Sequence, residues 1–328
     1  MTSNRILGTI VSTLLASASL QAVPVITPQG TALGFSLTNV ITGTPGSTSS
    51  FDVLGIAVNS AGQIVFNNSS NSTNYLIANA DNQIFSNPGT ILASNPNPNF
   101  PSALALANGS VWASGGSLRK LDNNGQTIAT FANISVSAGM WTNPVTGHLI
   151  AISGGSLLDI DVSGATPVST IIRSGVSADG VTVSPDGTKA YLGTNGNNIV
   201  DLVGAAHALS SFGNVSGIDG MGVIASSNEL NGSIIVNTTS GNIVLVNPAT
   251  LMQTILASGG GYGDFTGADP ISGTLLLSSS NAIVRLSCGA DCGIGSTPPP
   301  SSGVPEPSTA GLLAIVLAGL GALRLRRN

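Results

Sequence analysis

A turn signal that returns at nearly constant intervals limits, more than any other feature, how this chain can fold. It reads Asn59-Ser60-Ala61-Gly62, Asn108-Gly109, Asn143-Pro144-Val145-Thr146-Gly147, Ser184-Pro185-Asp186-Gly187, Asn228-Glu229-Leu230-Asn231-Gly232 and Asp269-Pro270-Ile271-Ser272-Gly273. The closing glycines stand 47, 38, 40, 45 and 41 residues apart. Proline presets one backbone dihedral of a turn, and Gly or Asn accepts the positive φ that a tight hairpin needs. Short apolar strands flank these turns, as at 54–58 and 64–66, at 181–183 and 190–192, and at 275–277. A third strand follows in several units, at 157–161, 198–202 and 243–246. A hairpin plus further strands on a period of ~42 residues suits a four-stranded propeller blade and is too long for one coil of a β-helix.

Six such units lie between about residue 51 and residue 288, and the stretch 32–41 reads as an extra strand that completes the last blade and closes the ring. The expected fold class is all-β: a six-bladed β-propeller, flanked by an N-terminal signal helix and a C-terminal transmembrane helix. A β-helix and a β-sandwich are the competing folds for a Gly-, Asn- and Ser-rich chain. The hairpin at 181–192 with its Ser184-Pro185-Asp186-Gly187-Thr188-Lys189-Ala190-Tyr191 turn, and the hairpin at 140–150, resemble those of YVTN-type and NHL-type β-propellers.

Charged residues make up 7% of the chain, against roughly a quarter in an average soluble protein. Gly, Ser, Thr and Asn fill the space that Lys and Glu usually occupy, a composition that suggests an extracellular strand-and-turn protein. The net charge of −5 argues against nucleic acid as a partner, the more so because three of the nine basic residues sit at the C-terminal end.

The two ends carry targeting signals. Arg5 in a short polar start, the apolar stretch 6–20 and small residues after it have the layout of a secretory signal peptide, with cleavage after Ala18 or Ala22. The expected organisation is signal peptide 1–22, propeller-like domain 23–296, Pro/Ser linker 297–303 and sorting tail 304–328. The tail holds Val304-Pro305-Glu306-Pro307, an apolar run over 310–323, and Arg324, Arg326 and Arg327. At ~1.5 Å per residue that run spans roughly 21 Å, short of a ~30 Å hydrocarbon core unless flanking residues extend it and the arginines snorkel. The terminal positive cluster would keep that end cytoplasmic and everything before it outside.

Those residues resemble the PEP-CTERM sorting signal. The resemblance implies export, retention by the tail and processing near the motif by exosortase, a membrane transpeptidase. It also implies a Gram-negative host of the kind that makes exopolysaccharide and biofilm, and a location in the cell envelope or extracellular matrix.

Candidate chemistry in the body is sparse. Cys288 and Cys292, the two cysteines of an exported chain, are expected to form a small disulfide loop. His148 and His207 read as loop histidines, no Gly-x-Ser-x-Gly elbow occurs, and Gly259-Gly260-Gly261-Tyr262-Gly263 reads as an inter-blade loop, since no helix follows it. Asp52, Asp179, Asp219 and Asp264 stand 10, 8, 13 and 9 residues before the hairpin glycines of their units. First strands line a propeller's channel, so these four carboxylates form a candidate rim for Ca²⁺, a cation that takes oxygen ligands; lactonase-like propellers place a metal in this region. The competing reading is that Asp179-Gly180 and Asp219-Gly220 are ordinary turns, and the units beginning near 100–103 and 137–140 lack the acid. Trp112 and Trp141 are candidates for stacking on sugar, or for packing between blades.

No cofactor other than Ca²⁺ is suggested. The leading expectation is a non-enzymatic surface or matrix propeller that contacts protein or polysaccharide. A metal-dependent propeller hydrolase or lactonase, and a structural β-helical matrix protein, are the alternatives.

Overall fold

All six turn glycines adopt the left-handed backbone expected of them, with φ between 69° at Gly273 and 77° at Gly62, and Asn108 joins them at 46°. Each turn joins the first two strands of one antiparallel sheet. A computed structural model describes residues 23–47, 50–97, 103–193 and 197–295 of the 328-residue chain. Six sheets follow one another as blades. The first is Val53–Val58, Ile64–Asn68, Thr73–Ile77 and Ile91–Pro96; the second is Leu104–Ala107, Ser110–Ala113, Gly116–Leu121 and Thr127–Val136. The third is Met140–Thr142, Leu149–Ser153, Ser156–Asp161 and Val168–Ser174, and the fourth is Gly180–Val183, Lys189–Gly193, Asn198–Asp201 and Leu209–Ser211. The fifth is built on Ile218–Ser226, Ile234–Thr238, Ile243–Val246 and Gln253–Ser258. The sixth takes Thr266–Asp269, Thr274–Ser279 and Ala282–Ser287 from the end of the domain and Ser36–Thr42 from its beginning.

The first strands of successive blades pack side by side, and the sixth packs back on the first. That closed ring is a six-bladed β-propeller and excludes both the β-helix and the β-sandwich. Burial falls outward along each blade: Gly180–Val183 is wholly buried, and Leu209–Ser211, the outer strand of the same blade, is wholly exposed.

Ring closure uses the N-terminal strand in antiparallel register, with Leu37 opposite Leu286 and Asn39 opposite Val284. The expected strand at 32–41 starts later, because Pro28–Ala32 forms a short helix. Thr27 caps that helix by accepting the Gly30 N–H at 3.0 Å, and Pro28 supplies a helical φ where no N–H donor is needed. Arg285 reinforces the closure. Its guanidinium meets Asp269 at 2.7 Å, Asp81 at 2.9 Å and Asn79 at 2.6 Å, tying two strands of the last blade to the loop after the third strand of the first.

Gly180 and Gly220 correct the reading of their Asp-Gly pairs as turns. Neither glycine has a positive φ, and each begins or lies within a first strand. A Cβ on Gly180 would stand 1.6 Å from the Asp219 carbonyl oxygen, and one on Gly220 would stand 2.4 Å from that of Asp264. These glycines let neighbouring blades touch backbone to backbone.

The end of the described chain turns inward. Cys292–Ile294 pairs antiparallel with the end of the fifth blade's first strand, Ile294 opposite Ile224, and the expected disulfide joins Cys288 to Cys292. Among the described residues no helix is long and apolar enough to cross a membrane. The signal helix within 1–22, the linker 297–303 and the sorting tail with its apolar helix lie outside the described residues.

Candidate functional site

Because the six first strands run in the same direction, their starts meet at one mouth of the channel and their ends at the other. Asp179, Asp219 and Asp264 come to the first mouth from blades four, five and six. Asp219 is the extra residue of a β-bulge: Ile218 pairs with Thr238 and Gly220 with Asn237, which leaves Asp219 without an opposite residue. A bulge re-aims a side chain out of the sheet's alternation. Asp264 is held by its backbone, its N–H donating to Ser278 Oγ at 2.8 Å and its carbonyl accepting from Asn237 Nδ2 at 2.9 Å.

Asp219 and Asp264 are each only 5% exposed. One Asp264 carboxylate oxygen accepts the Phe265 N–H at 2.9 Å, whereas Asp219 Oδ1 is buried with no hydrogen-bond partner. Burial, and then the charges of Asp264 and Asp179, push the Asp219 carboxyl up to about 9. Burial also drives Asp264 up, to about 8, with a further push from Asp179 and an opposing pull from the Phe265 N–H. Asp179 stands at the exposed rim, and the protein around it raises its pKa as well. Both shifts favour the protonated form of the two inner acids. Tyr262 faces the same three carboxyls, and its phenol is raised by burial and by their charge. The Phe51 and Tyr262 rings lie 5.7 Å apart at 57° on this side. Beside Asp179 a cavity of about 540 Å³ opens between blades four and five, lined by Ser177, Asp179, Asn214 and Ser216 among others.

Asp52, the fourth acid singled out from sequence, stands just before the first strand of blade one, yet its carboxylate is taken up by serines of its own loop and of the turn after the second strand. It accepts from the Ser47 N–H at 2.6 Å, from Ser50 Oγ at 3.0 Å and from Ser70 Oγ. Among the described residues no group of three His, Cys, Asp or Glu side chains is placed to hold a metal ion. Of the four acids singled out from sequence, Asp52 is thus occupied locally, whereas Asp179, Asp219 and Asp264 gather at one mouth, Asp264 with one oxygen on a backbone N–H and Asp179 out at the rim.

The other sequence candidates fall elsewhere. Gly259 to Gly263 do form an inter-blade loop, between Gln253–Ser258 and Thr266–Asp269. Both tryptophans are buried in the body: Trp112 donates from Nε1 to the Ala107 carbonyl at 3.1 Å, and Trp141 lines the far end of the channel. His148 and His207, 59 residues apart in sequence, line one groove between blades three and four. His148 bonds Asp159 through Nδ1 at 2.7 Å, and His207 donates from Nδ1 to the Asp201 carbonyl at 2.9 Å. Sequence inspection also missed Arg119, which is 1% exposed and bonded to Asn97 and to the Ser114 carbonyl. No local pattern marks a buried arginine of this kind.

Residues 303–327 match the family described as the PEP-CTERM protein-sorting motif. The chain ends in a PEP-CTERM sorting motif. That motif implies export, association with the bacterial cell envelope and processing by exosortase. No curated protein matches the chain. Solved structures similar to the propeller include XC5397 of Xanthomonas campestris, described as a gluconolactonase, at 12% identity, covering 80% of this chain and 94% of that one with a TM-score of 0.58. Another is regucalcin from Agrobacterium tumefaciens, described as a calcium-binding protein, at 15% identity over 76% of this chain and 95% of that one, TM-score 0.53. A luciferin-regenerating enzyme is similar at 12% identity over 77% and 95%, TM-score 0.54. At these identities the likeness shows a shared fold.

Proposed function

We propose that this exported PEP-CTERM propeller is a non-enzymatic binding protein of the cell surface or its matrix, and that its acidic mouth takes a neutral polar ligand such as a segment of exopolysaccharide. The observation that carries this reading is the meeting of Asp179, Asp219 and Asp264 beside a polar cavity, where burial and the neighbouring acids raise the inner two and favour their protonated form. A protonated carboxyl donates one hydrogen bond and accepts others, which suits the hydroxyl groups of a sugar. Tyr262 and Phe51 add an amphipathic aromatic face at the same mouth. A Gram-negative host that makes exopolysaccharide fits the sorting tail.

A second reading is favoured by one observation, the buried and unpartnered Asp219 Oδ1: a divalent cation such as Ca²⁺ would supply the missing partner. The two readings separate on Asp219→Asn, since Asn copies the shape and the hydrogen-bond donor of a protonated Asp but removes the anionic ligand. Calorimetric titration with neutral oligosaccharides, together with melting in Ca²⁺ and in chelator, decides. Oligosaccharide binding that survives D219N and is lost in Asp219→Leu supports the saccharide reading. A rise in Tm with Ca²⁺ that D219N abolishes replaces it with the cation reading. Neither response would sink both.

A further inference from the structure

The two mouths differ in what their turns are made of. At the acidic mouth, the turns between second and third strands read Ser69-Ser70-Asn71-Ser72, Gly154-Gly155, Thr239-Ser240-Gly241 and Ser280-Asn281, all small or polar. At the far mouth, where the first and third strands end, the turns carry Val145, Val203, Leu251, Met252 and Ile271. None of these five lies in a strand, and their exposure runs from 50% at Leu251 to 72% at Val203. They come from blades three to six, and Val145 and Ile271 adjoin Pro144 and Pro270, which with Trp141 wall a cavity of about 290 Å³. Single exposed hydrophobics are ordinary on a protein surface. Five on the turns of one face, opposite turns of small and polar residues, mark a surface built for contact.

Leu251 takes its place against the preference of the backbone. Asn247-Pro248-Ala249-Thr250-Leu251-Met252 repeats the turn Asn143-Pro144-Val145-Thr146-Gly147-His148 bond for bond. In both, the Asn side chain accepts the N–H groups two and three residues on, the Asn carbonyl accepts that of the fifth residue, and the Thr hydroxyl accepts that of the sixth. Gly147 takes its φ of 73° with no side chain, whereas Leu251 takes 60° with one. Glycine suits this left-handed backbone and leucine strains it. The strain leaves an apolar side chain half in water, a combination that an apolar environment outside the protein would offset.

The described chain stops at this same face, where Gly295 lines the cavity and donates its N–H to the Val223 carbonyl at 2.7 Å. Fourteen residues, 296–309, separate it from the apolar run 310–323 of the sorting tail, and covalent geometry limits a stretch of that length to ~50 Å at most. A bilayer that takes up the run is therefore within reach of this face, and the short tether lets even a weak surface contact be populated. Asp161, Asp186 and Asp201 accept backbone N–H bonds in the same turns, and their negative charge disfavours an anionic lipid surface. We propose that this face docks on a bilayer of zwitterionic lipid, with the five apolar side chains entering the boundary between headgroups and acyl chains and the acidic mouth turned away from the membrane. This docking does not depend on what the acidic mouth binds.

The test uses the full-length chain in phosphatidylcholine vesicles. With Cys288 and Cys292 joined, one added cysteine can carry a nitrobenzoxadiazole label, through Leu251→Cys on the docking face or Ser216→Cys beside the acidic mouth. Nitroxide-bearing phosphatidylcholine should quench the label at position 251 about twofold more than the label at 216. Val203→Ser, Met252→Ser and Ile271→Ser together should remove most of that difference, whereas a tether acting alone would leave it in place. Equal quenching at the two positions overturns the proposal, and so does a difference that survives the triple substitution. Stronger quenching on phosphatidylglycerol than on phosphatidylcholine would contradict the charge of the face and overturn docking on a neutral surface. Shielding of the 251 label from aqueous iodide without quenching from the lipid would assign the face to a protein partner and overturn it as well. Should Leu251→Cys misfold, Val203→Cys on another blade, read with and without Met252→Ser and Ile271→Ser, answers the same question.

Discussion

Asp264 and Asp269 flank the same short strand of the sixth blade, are both buried, and behave in opposite ways. Burial alone raises either carboxyl. At Asp269 that effect is outweighed by hydrogen bonds from Ser272, Asn79 and Arg285, so its pKa falls below the usual carboxylate value. Asp264 meets no basic group, only a backbone N–H and two other acids, and its pKa rises. The first is a structural acid with every partner supplied, and it fastens the ring closed. The second belongs to a mouth whose polar groups lack partners from the protein itself, the condition under which burial of such groups points outward to a ligand or a proton. The same contrast holds for the whole channel, acidic and under-bonded at the strand starts, apolar and open as a cavity at the strand ends.

Substitutions at the two mouths should break this contrast in different ways. Gly180→Ala has the largest expected effect: its methyl group meets the Asp219 carbonyl oxygen, so blades four and five cannot close on each other. Loss of cooperative thermal unfolding is expected, a cost of ~3 kcal/mol or more. At the other mouth Trp141→Ala removes a large buried side chain and should cost ~3 kcal/mol in urea unfolding, with the acidic mouth's ligand binding unchanged. Reduction of the Cys288–Cys292 bridge should cost at most ~2 kcal/mol, because the loop it closes is short, and hydrogen exchange should rise mainly over 292–294.

The smallest expected effect is the most specific. Asp219 and Asp264 keep protons in the folded state that the unfolded chain releases above ~3.9. Their contribution is therefore fully present below that pH and is lost progressively as pH rises towards about 9 and about 8. Asp219→Asn should flatten that decline, raising Tm at pH 8 and hardly at all near pH 4, as thermal melts at the two pH values would show. Asp269 has the opposite sign: its contribution is present above the unfolded carboxylate value and is lost as pH falls below it. A parent protein whose stability climbs between pH 5 and pH 8, without Ca²⁺, would remove the protonated mouth from the account.

Most of the fold was legible because turn chemistry is local. An Asn-Gly or Ser-Pro-Asp-Gly sequence selects its backbone wherever it sits, and six such signals at a blade-sized spacing left few architectures open. The closing strand, the disulfide and the sorting tail could be read for the same reason, since each is written in a short contiguous stretch. Tertiary structure alone decided which polar residues meet. Asp52 looks like its three counterparts in sequence, but Ser47, Ser50 and Ser70 take up its carboxylate, while a bulge turns Asp219 out with an oxygen left unbonded. Gly180 and Gly220 look like turn residues until the neighbouring blade's carbonyl is seen against them. The joining of Arg285 to Asp81, across 204 residues, has no local signature at all. Backbone preferences act over a few residues and survive in the sequence as motifs; partnerships between blades depend on ring closure, which places distant side chains a few ångströms apart.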